Sequence, residues 1–290
     1  MAHFGSSRVG AKSIILKSQT PLYAMLTTTT LKAAGASQVI IHHFGAHITS
    51  WKNAAGNELL YTSPLATFEG PKAIRGGIPI CFPQFGKKGN LKQHGFGRTS
   101  TWELLDASDS KAQFVLEDSE VTRSEWPHQF KATVTIELSS DGNSLTIDLD
   151  VQNKDTAPFN LTCAFHTYFA ADALHTEITD LEGISNIPVA ELMTDYTPTS
   201  QQGPITFHPN KMEHIFFDTP ERISLPTLVV NKSHNLPDLV VWNPTAEQTM
   251  GDLPSDGYKN FVCLEAAKIK DDAIVEPGKT WNCSHTMTSK

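Results

Sequence analysis

Two stretches of the chain alternate apolar and polar residues with a period of two, and a turn-forming segment separates them. Residues 133–138 and 145–151 carry the alternation, and the segment between them reads Ser-Ser-Asp-Gly-Asn-Ser. Successive side chains of a strand point to opposite faces of a sheet. The pattern therefore predicts an antiparallel hairpin with one buried face.

Short apolar runs bounded by Gly, Pro, Asn and Asp recur along the rest of the chain, and no long helical pattern interrupts them. The clearest runs are residues 39–41, 114–116, 228–230, 239–242 and 261–264. Repeated parallel βα units would need regularly spaced amphipathic helices, which the sequence lacks. We therefore expect an all-β protein, built as one large antiparallel β-sandwich whose two sheets share a core.

The domain organisation follows from the length of the chain and from its N-terminal composition. The chain has 290 residues, and β-sandwiches of about 200–250 residues often form a single domain. Residues 1–20 are mostly small and polar and are expected to form a loose segment. Residues 21–290 are expected to form one sandwich domain.

The charge, the apolar stretches and the cysteines of the chain indicate which partners it can bind and where in the cell it resides. The formal net charge is −8 and no run of Lys or Arg occurs, so a nucleic-acid partner is not expected. Apolar stretches are far shorter than the ~20 residues of a membrane span. The four cysteines lie far apart without metal-type pairs, and no secretion signal is evident, which favours reduced thiols and a cytoplasmic location. Without an exposed apolar stripe, a monomer is expected.

Two arginines stand in glycine-containing segments, Arg-Gly-Gly-Ile-Pro at 75–79 and Gln-His-Gly-Phe-Gly-Arg at 93–98. A guanidinium offers a rigid fork of donors that matches phosphate. Glycine also lets a backbone approach a ligand closely. Arg75 and Arg98 therefore suggest an anionic small molecule, although either arginine alone could be an ordinary surface residue.

Two further residues are candidates for acid-base chemistry. His166 interrupts the aromatic, strand-like run at 163–169, and Glu265 ends the apolar run at 261–264. Burial would raise the pKa of Glu265 toward the range of a general base. A hydrogen-bonded core histidine and a solvent-exposed strand-end glutamate remain the alternatives. The 12 histidines show no metal-ligand spacing, so no metal site is expected.

These segments, taken together, resemble the aldose 1-epimerase-like proteins, and within them the hexose-6-phosphate mutarotases. Five pieces carry the resemblance in order, at residues 75–86, 93–98 with Trp102, 165–169, 236–244 and 263–267. The resemblance extends over most of the chain, from the strands before Arg75 to about residue 281. It implies a galactose mutarotase-like sandwich that interconverts the α and β anomers of a hexose 6-phosphate without a cofactor.

The resemblance also implies roles for individual residues. His166 matches the family's general acid and Glu265 its general base. Arg75, Gln93, His94 and Arg98 fall in the substrate-binding segments, and Arg75 and Arg98 are expected to hold the phosphate on C6 together.

An acidic contact of the family lies in an Asp-Arg-(Ile/Val)-Tyr motif, for which Glu213-His214-Ile215-Phe216 is the best match here. This segment departs from the motif, and Asp218 is a nearby rival for the contact. Phe85, Phe96, Tyr168 and Trp242 are candidates to stack against a sugar, or simply to fill the core.

Two other functions remain open from the sequence. An epimerase of unphosphorylated aldoses would hold the C6 end of the sugar with polar or aromatic residues instead of two arginines. A carbohydrate-binding or regulatory module could share the fold without catalysis. The presence of both His166 and Glu265 argues against the second alternative.

Overall fold

The computed structural model describes residues 1, 27–68, 70–209, 211–246 and 249–290, and these residues form mainly β-strands. The first ten strands are β1 (Thr28–Lys32), β2 (Gln38–His42), β3 (His47–Lys52), β4 (Ile80–Cys81), β5 (Glu103–Ala107), β6 (Lys111–Glu117), β7 (Phe130–Leu138), β8 (Ser144–Asn153), β9 (Phe159–Phe165) and β10 (Tyr168–Ala170). The remaining strands are β11 (Glu177–Ile178), β12 (Ser185–Pro188), β13 (Thr199–Ser200), β14 (Ile205–Thr206), β15 (Met212–Phe216), β16 (Arg222–Ser224), β17 (Leu228–Lys232), β18 (Asp238–Asn243), β19 (Phe261–Val275) and β20 (Thr280–Ser289).

Helical structure is sparse among the described residues. The α-helix α1 (Glu120–Glu125) begins at a capping box between Ser119 and Thr122. Three 3-10 helices lie at Gly97–Thr99, Val189–Glu191 and Gly257–Asn260. None of these helices is long and apolar enough to cross a membrane.

Two large antiparallel sheets form the body of the protein. One has seven strands in the order β16-β17-β20-β8-β7-β6-β5, and the other has eight, in the order β13-β12-β15-β18-β19-β9-β4 with β10 also paired to β19. The described residues also form two smaller sheets, β1-β2-β3 and β11-β14. The predicted hairpin is confirmed as β7 and β8, where Val134 pairs with Leu149. The all-β antiparallel expectation is therefore confirmed.

The shared core lies between the two large sheets, and the eight-stranded sheet is covered on its other face as well. In β19, Val262 and Leu264 join the main core, whereas Cys263 and Ala267 join a second apolar cluster. The period of two thus sends alternate side chains of one strand to opposite faces. Glu265 shares its face with Cys263 and Ala267, and this face carries the candidate site described below.

The expected loose segment at residues 1–20 lies, apart from Met1, outside the described residues. That domain boundary stays a prediction. The four cysteines are free and buried.

Three buried histidines make the stability of the fold depend on pH. Burial lowers the pKa of His47, His94 and His285 to about 3, against 6.5 for an unperturbed histidine. As pH falls below 6.5, these histidines therefore bind protons in the unfolded chain, whereas in the folded chain they stay neutral. Each such histidine lowers the free energy of unfolding by about 1.4 kcal/mol per pH unit.

We therefore expect acidification from pH 7 to pH 5 to lower the urea midpoint, measured by tryptophan fluorescence. The pKa of Glu265 is raised, so protonation of this one residue stabilises the folded chain as pH falls. A variant of a single histidine therefore isolates the histidine contribution to the pH slope. His285→Gln should flatten the pH slope of the unfolding free energy by about 1.4 kcal/mol per pH unit. Equal slopes for this variant and the wild type would contradict the prediction.

Candidate active site

A single cleft on the outer face of the eight-stranded sheet brings the predicted site residues together. This main cleft is lined by Arg75, Gln93, His94, Arg98, His166, Glu213 and Glu265, and it encloses about 270 Å³. The seven residues come from five separate segments of the sequence. Their convergence depends on the pairing of strands that are distant in the chain.

Three neighbouring strands form the floor of the main cleft. Glu213 of β15 pairs with Trp242 of β18, and Val240 of β18 pairs with Glu265 of β19. Directly paired residues of adjacent strands project from the same face. The register of β15, β18 and β19 therefore fixes the positions of both carboxyl groups.

His166 lies at a break between two strands. β9 ends at Phe165 and β10 begins at Tyr168, so the strand-like run at 163–169 is divided between two strands. The break places the imidazole against the aromatic rings of the cleft. Its ring centroid lies 4.7 Å from that of Tyr168 at an angle of 7°, and 5.7 Å from that of Trp242 at 84°.

His166 and Glu265 meet directly inside the main cleft. His166 Nδ1 lies 3.2 Å from Glu265 Oε1, and the two residues are 8% and 2% exposed. The approach is not directed as a hydrogen bond, and Nδ1 of His166 and Oε2 of Glu265 have no hydrogen-bond partner among the described residues. Buried polar atoms normally have partners, so these two atoms are polar groups that the described residues leave without a hydrogen bond.

Burial acts on this pair by disfavouring charge on both members. It raises the pKa of Glu265 well above its usual range, although the positive charge of Arg98 opposes the rise. Burial also lowers the pKa of His166 well below its usual value, and His94, Arg98 and Arg75 add to the effect. Burial thus favours the neutral form of both members, an unprotonated His166 and a protonated Glu265.

The glycines of the two arginine segments approach other strands of the protein. A Cβ at Gly76 would lie 2.4 Å from the carbonyl oxygen of Tyr61, and one at Gly77 would lie 2.1 Å from that of Ile48. Both glycines have a positive φ, which other residues rarely adopt. The expectation that these glycines make room for a ligand is therefore wrong for Gly76 and Gly77, since backbone atoms fill that space.

His94 enters the cleft as a neutral hydrogen-bond donor. The backbone N–H of Gly86 donates to His94 Nδ1 at 3.2 Å, so the proton of the neutral ring resides on Nε2. Burial lowers the pKa of His94 to about 3. The side-chain amide of Gln93 lies 3.4 Å from Nε2 of the same ring.

The two arginines differ in their partners. Arg75 donates from Nε and Nη2 to the two carboxylate oxygens of Asp252, at 3.1 and 3.3 Å, and from Nη1 to the hydroxyl of Tyr168 at 3.0 Å. Arg98 donates from Nη2 to the carbonyl oxygen of Gln93 at 3.1 Å. No carboxylate in the described part of the chain forms an ion pair with Arg98. The sequence predicted that both arginines hold the phosphate, but they differ in charge, since Arg75 is paired with Asp252 and Arg98 with no described carboxylate.

A second cavity adjoins the main cleft and shares Arg75, Gln93 and Arg98 with it. This basic cavity encloses about 360 Å³, and Lys72 and Lys92 also line it. Lys92 lies 3.6 Å from Glu125 and is largely exposed. The residues that the two cavities share lie between the His166–Glu265 pair and a region that also carries Lys72 and Lys92.

The structure places the two rival acidic residues differently. Glu213 lines the main cleft and forms an ion pair with Lys211. The side chain of Asp218 is 72% exposed and pairs with Lys270 at 2.9 Å. Of these two rivals, Glu213 is therefore the one that lies in the main cleft.

The four aromatic candidates also lie in different places. Trp242 and Phe85 line the main cleft, and Tyr168 lines the basic cavity. Phe96 packs in the main core, with its ring centroid 6.0 Å from that of Phe82. The sequence did not single out Asp252, because a loop carboxylate beside Gly251 has no distinctive pattern.

Comparisons with known proteins show the family of this chain. Residues 27–288 match the family model of aldose 1-epimerase. A protein from Cenchrus ciliaris, provisionally named glucose-6-phosphate 1-epimerase, is 35% identical over 260 residues, which cover 83% of this chain and 78% of that protein. A protein of the same provisional name from Escherichia coli K12 is 32% identical, with 77% of each chain covered.

Solved structures share the fold. A provisionally named mutarotase from Salmonella typhimurium has a TM-score of 0.78 at 27% identity and covers 90% of this chain and 89% of its own. A galactose mutarotase-like protein from Lactobacillus casei has a TM-score of 0.74 at 17% identity, with 91% of this chain and 100% of that chain covered. These similarities confirm the expected galactose mutarotase-like sandwich.

Proposed function

The chain belongs to the aldose 1-epimerase family, and we propose that it interconverts the α and β anomers of hexose 6-phosphates, with glucose 6-phosphate as the leading substrate. The observation that carries the proposal is the buried His166–Glu265 contact in a cleft that shares Arg75, Gln93 and Arg98 with a basic cavity. The names of the related proteins support the substrate class.

The proposed chemistry needs one acid and one base. With His166 as imidazolium and Glu265 as carboxylate, Glu265 takes the proton of the C1 hydroxyl while His166 protonates the ring oxygen. The C1–O5 bond breaks and leaves the free aldehyde. The pair then consists of neutral His166 and protonated Glu265, which is the state that burial favours.

Reclosure reverses these transfers after the aldehyde turns about the C1–C2 bond. Glu265 returns its proton to the aldehyde oxygen as the C5 hydroxyl oxygen attacks C1, and His166 takes the proton of that hydroxyl. The pair carries one proton before and after each step, so the cycle needs no other proton donor or acceptor. Proton transfer by positioned groups typically contributes ~10²–10⁴-fold to a rate.

The other residues of the site are proposed to hold the substrate. Arg98, with its uncompensated charge, faces the phosphate, and Gln93, His94, Arg75 and Glu213 contact sugar hydroxyls. Binding energy from the phosphate would thereby orient the reacting end of the sugar. The monomeric state and the cytoplasmic location remain predictions of the sequence.

The substrate class is tested by measuring anomerisation of four sugars side by side. Glucose 6-phosphate, mannose 6-phosphate, galactose 6-phosphate and free galactose are compared by polarimetry at equal protein concentration. The proposal expects the phosphorylated sugars to be converted with a higher kcat/KM than free galactose. Faster conversion of free galactose would favour an epimerase of unphosphorylated aldoses.

Replacement of Arg98 should separate phosphorylated from free sugars. A hydrogen bond to a charged group is worth about 1.5–3 kcal/mol, so we expect Arg98→Gln to lower kcat/KM for glucose 6-phosphate by about 10- to 100-fold. The kcat/KM for free glucose should change far less. Arg123→Gln, which removes an arginine from α1 outside the cleft, serves as the control. Equal losses on both sugars would remove Arg98 from the phosphate contact.

A further inference from the structure

Asp252 and Tyr168 together occupy three of the five N–H donors of Arg75. A guanidinium has five N–H donors, and those of Arg75 include one each on Nε and Nη2 that bind Asp252 and one on Nη1 that binds Tyr168. One N–H on Nη1 and one on Nη2 therefore remain for a ligand. Because the guanidinium is planar and held at three points, the directions of these two donors are fixed.

The backbone also holds the ion pair in place. The N–H of Ser63 donates to the carbonyl oxygen of Arg75 at 3.0 Å, and the hydroxyl of Ser63 donates to the carbonyl oxygen of Asp252 at 2.6 Å. Ser63 is 3% exposed. One buried residue thus ties together the main chains of both members of the pair.

The ion pair is connected to the acid-base pair through Tyr168. The hydroxyl of Tyr168 accepts the Nη1 hydrogen bond of Arg75, and the ring of Tyr168 lies parallel to that of His166 at 4.7 Å. Movement of Arg75 would therefore disturb the surface against which His166 packs.

We infer that Asp252 is a positioning residue. It orients Arg75 and neutralises its charge, so that Arg75 donates hydrogen bonds to the sugar while Arg98 binds the phosphate. This inference rests on the proposed function. The Arg75–Asp252 pair has no net charge and attracts a distant anion weakly. Neutral sugar hydroxyls still accept its two oriented N–H groups, whereas Arg98 offers an uncompensated charge at the wall of the basic cavity.

Asp252→Asn tests this division of tasks, because it keeps the shape of the side chain and removes its charge. The Arg75 guanidinium would then lose its fixed orientation, which is expected to lower kcat for glucose 6-phosphate by about 10- to 100-fold. The inhibition constant of inorganic phosphate should stay the same or fall, since Arg75 gains an uncompensated charge. Arg98→Gln should instead raise that constant by about 10- to 100-fold. Asp252→Glu, which restores the carboxylate, should recover part of kcat.

Thermal unfolding of each variant is recorded alongside the kinetics. Should Asp252→Asn fail to fold, Tyr168→Phe removes the third partner of Arg75 without a change of charge and is expected to lower kcat with phosphate inhibition unchanged. A wild-type kcat in the folded variants would overturn the inference. So would a rise in the phosphate inhibition constant in Asp252→Asn as large as that in Arg98→Gln. Failure of the proposed function is a separate result, since the wild-type protein itself would then leave glucose 6-phosphate anomers unchanged.

Discussion

Glu265→Gln is expected to lower kcat for glucose 6-phosphate anomerisation by about 10²- to 10⁴-fold. The substitution keeps the size of a side chain that is 2% exposed, but an amide cannot accept the proton of the C1 hydroxyl. Burial raises the pKa of the native carboxyl group, which strengthens it as a base and which glutamine cannot reproduce. Stopped-flow polarimetry started from the pure α anomer measures the loss.

Two results accompany this loss if Glu265 is the base. The KM should change little, because the phosphate and hydroxyl contacts remain, and the circular dichroism spectrum should match that of the wild type. Glu221→Gln is a suitable control, since it alters a glutamate outside the main cleft. A kcat within about threefold of the wild type in folded Glu265→Gln would contradict the assignment.

His166→Ala is expected to lower kcat by a similar factor, about 10²- to 10⁴-fold. Without the imidazole, no group at this place protonates the ring oxygen as the C1–O5 bond breaks. The truncation also leaves a space beside Tyr168 and Trp242, whose rings lie 4.7 and 5.7 Å from that of His166. We therefore expect added imidazole to restore part of the activity.

Restoration of activity by added imidazole distinguishes the loss of a proton donor from the loss of side-chain packing at His166. His166→Gln fills more of the space and should show the same loss of kcat with less restoration by imidazole. Wild-type rates in His166→Ala would show that another group donates the proton. His94 is then the first residue to replace, because its ring centroid lies 5.8 Å from that of His166.

Local patterns in the sequence predicted the strands well, since the burial of alternate side chains depends on neighbours in the chain. The hairpin of β7 and β8 illustrates this, because its apolar residues Val134 and Leu149 are fully buried. The sequence contains no comparable local pattern that indicates the break between strands at His166. Its neighbours Phe165 and Tyr168 are as apolar and aromatic as those of an uninterrupted strand, so the pattern favoured one.

The convergence of the site could be anticipated only through the family resemblance. Glu213 and Glu265 lie on one face because β15, β18 and β19 are adjacent, and sheet order is not encoded by local spacing. The pairing of Arg75 with Asp252 spans 177 residues of sequence. The role of Gly76 and Gly77 was missed for the same reason, since the strands that crowd them are distant in the chain.

Exchange of magnetisation between the α and β anomers of glucose 6-phosphate at equilibrium tests the central claim most directly. The measurement follows one substrate without coupling enzymes, and the uncatalysed exchange in the same buffer is its baseline. We predict that the exchange rate rises in proportion to the concentration of wild-type protein and stays near the baseline with Glu265→Gln. An exchange rate that wild-type protein leaves at the baseline would contradict the account.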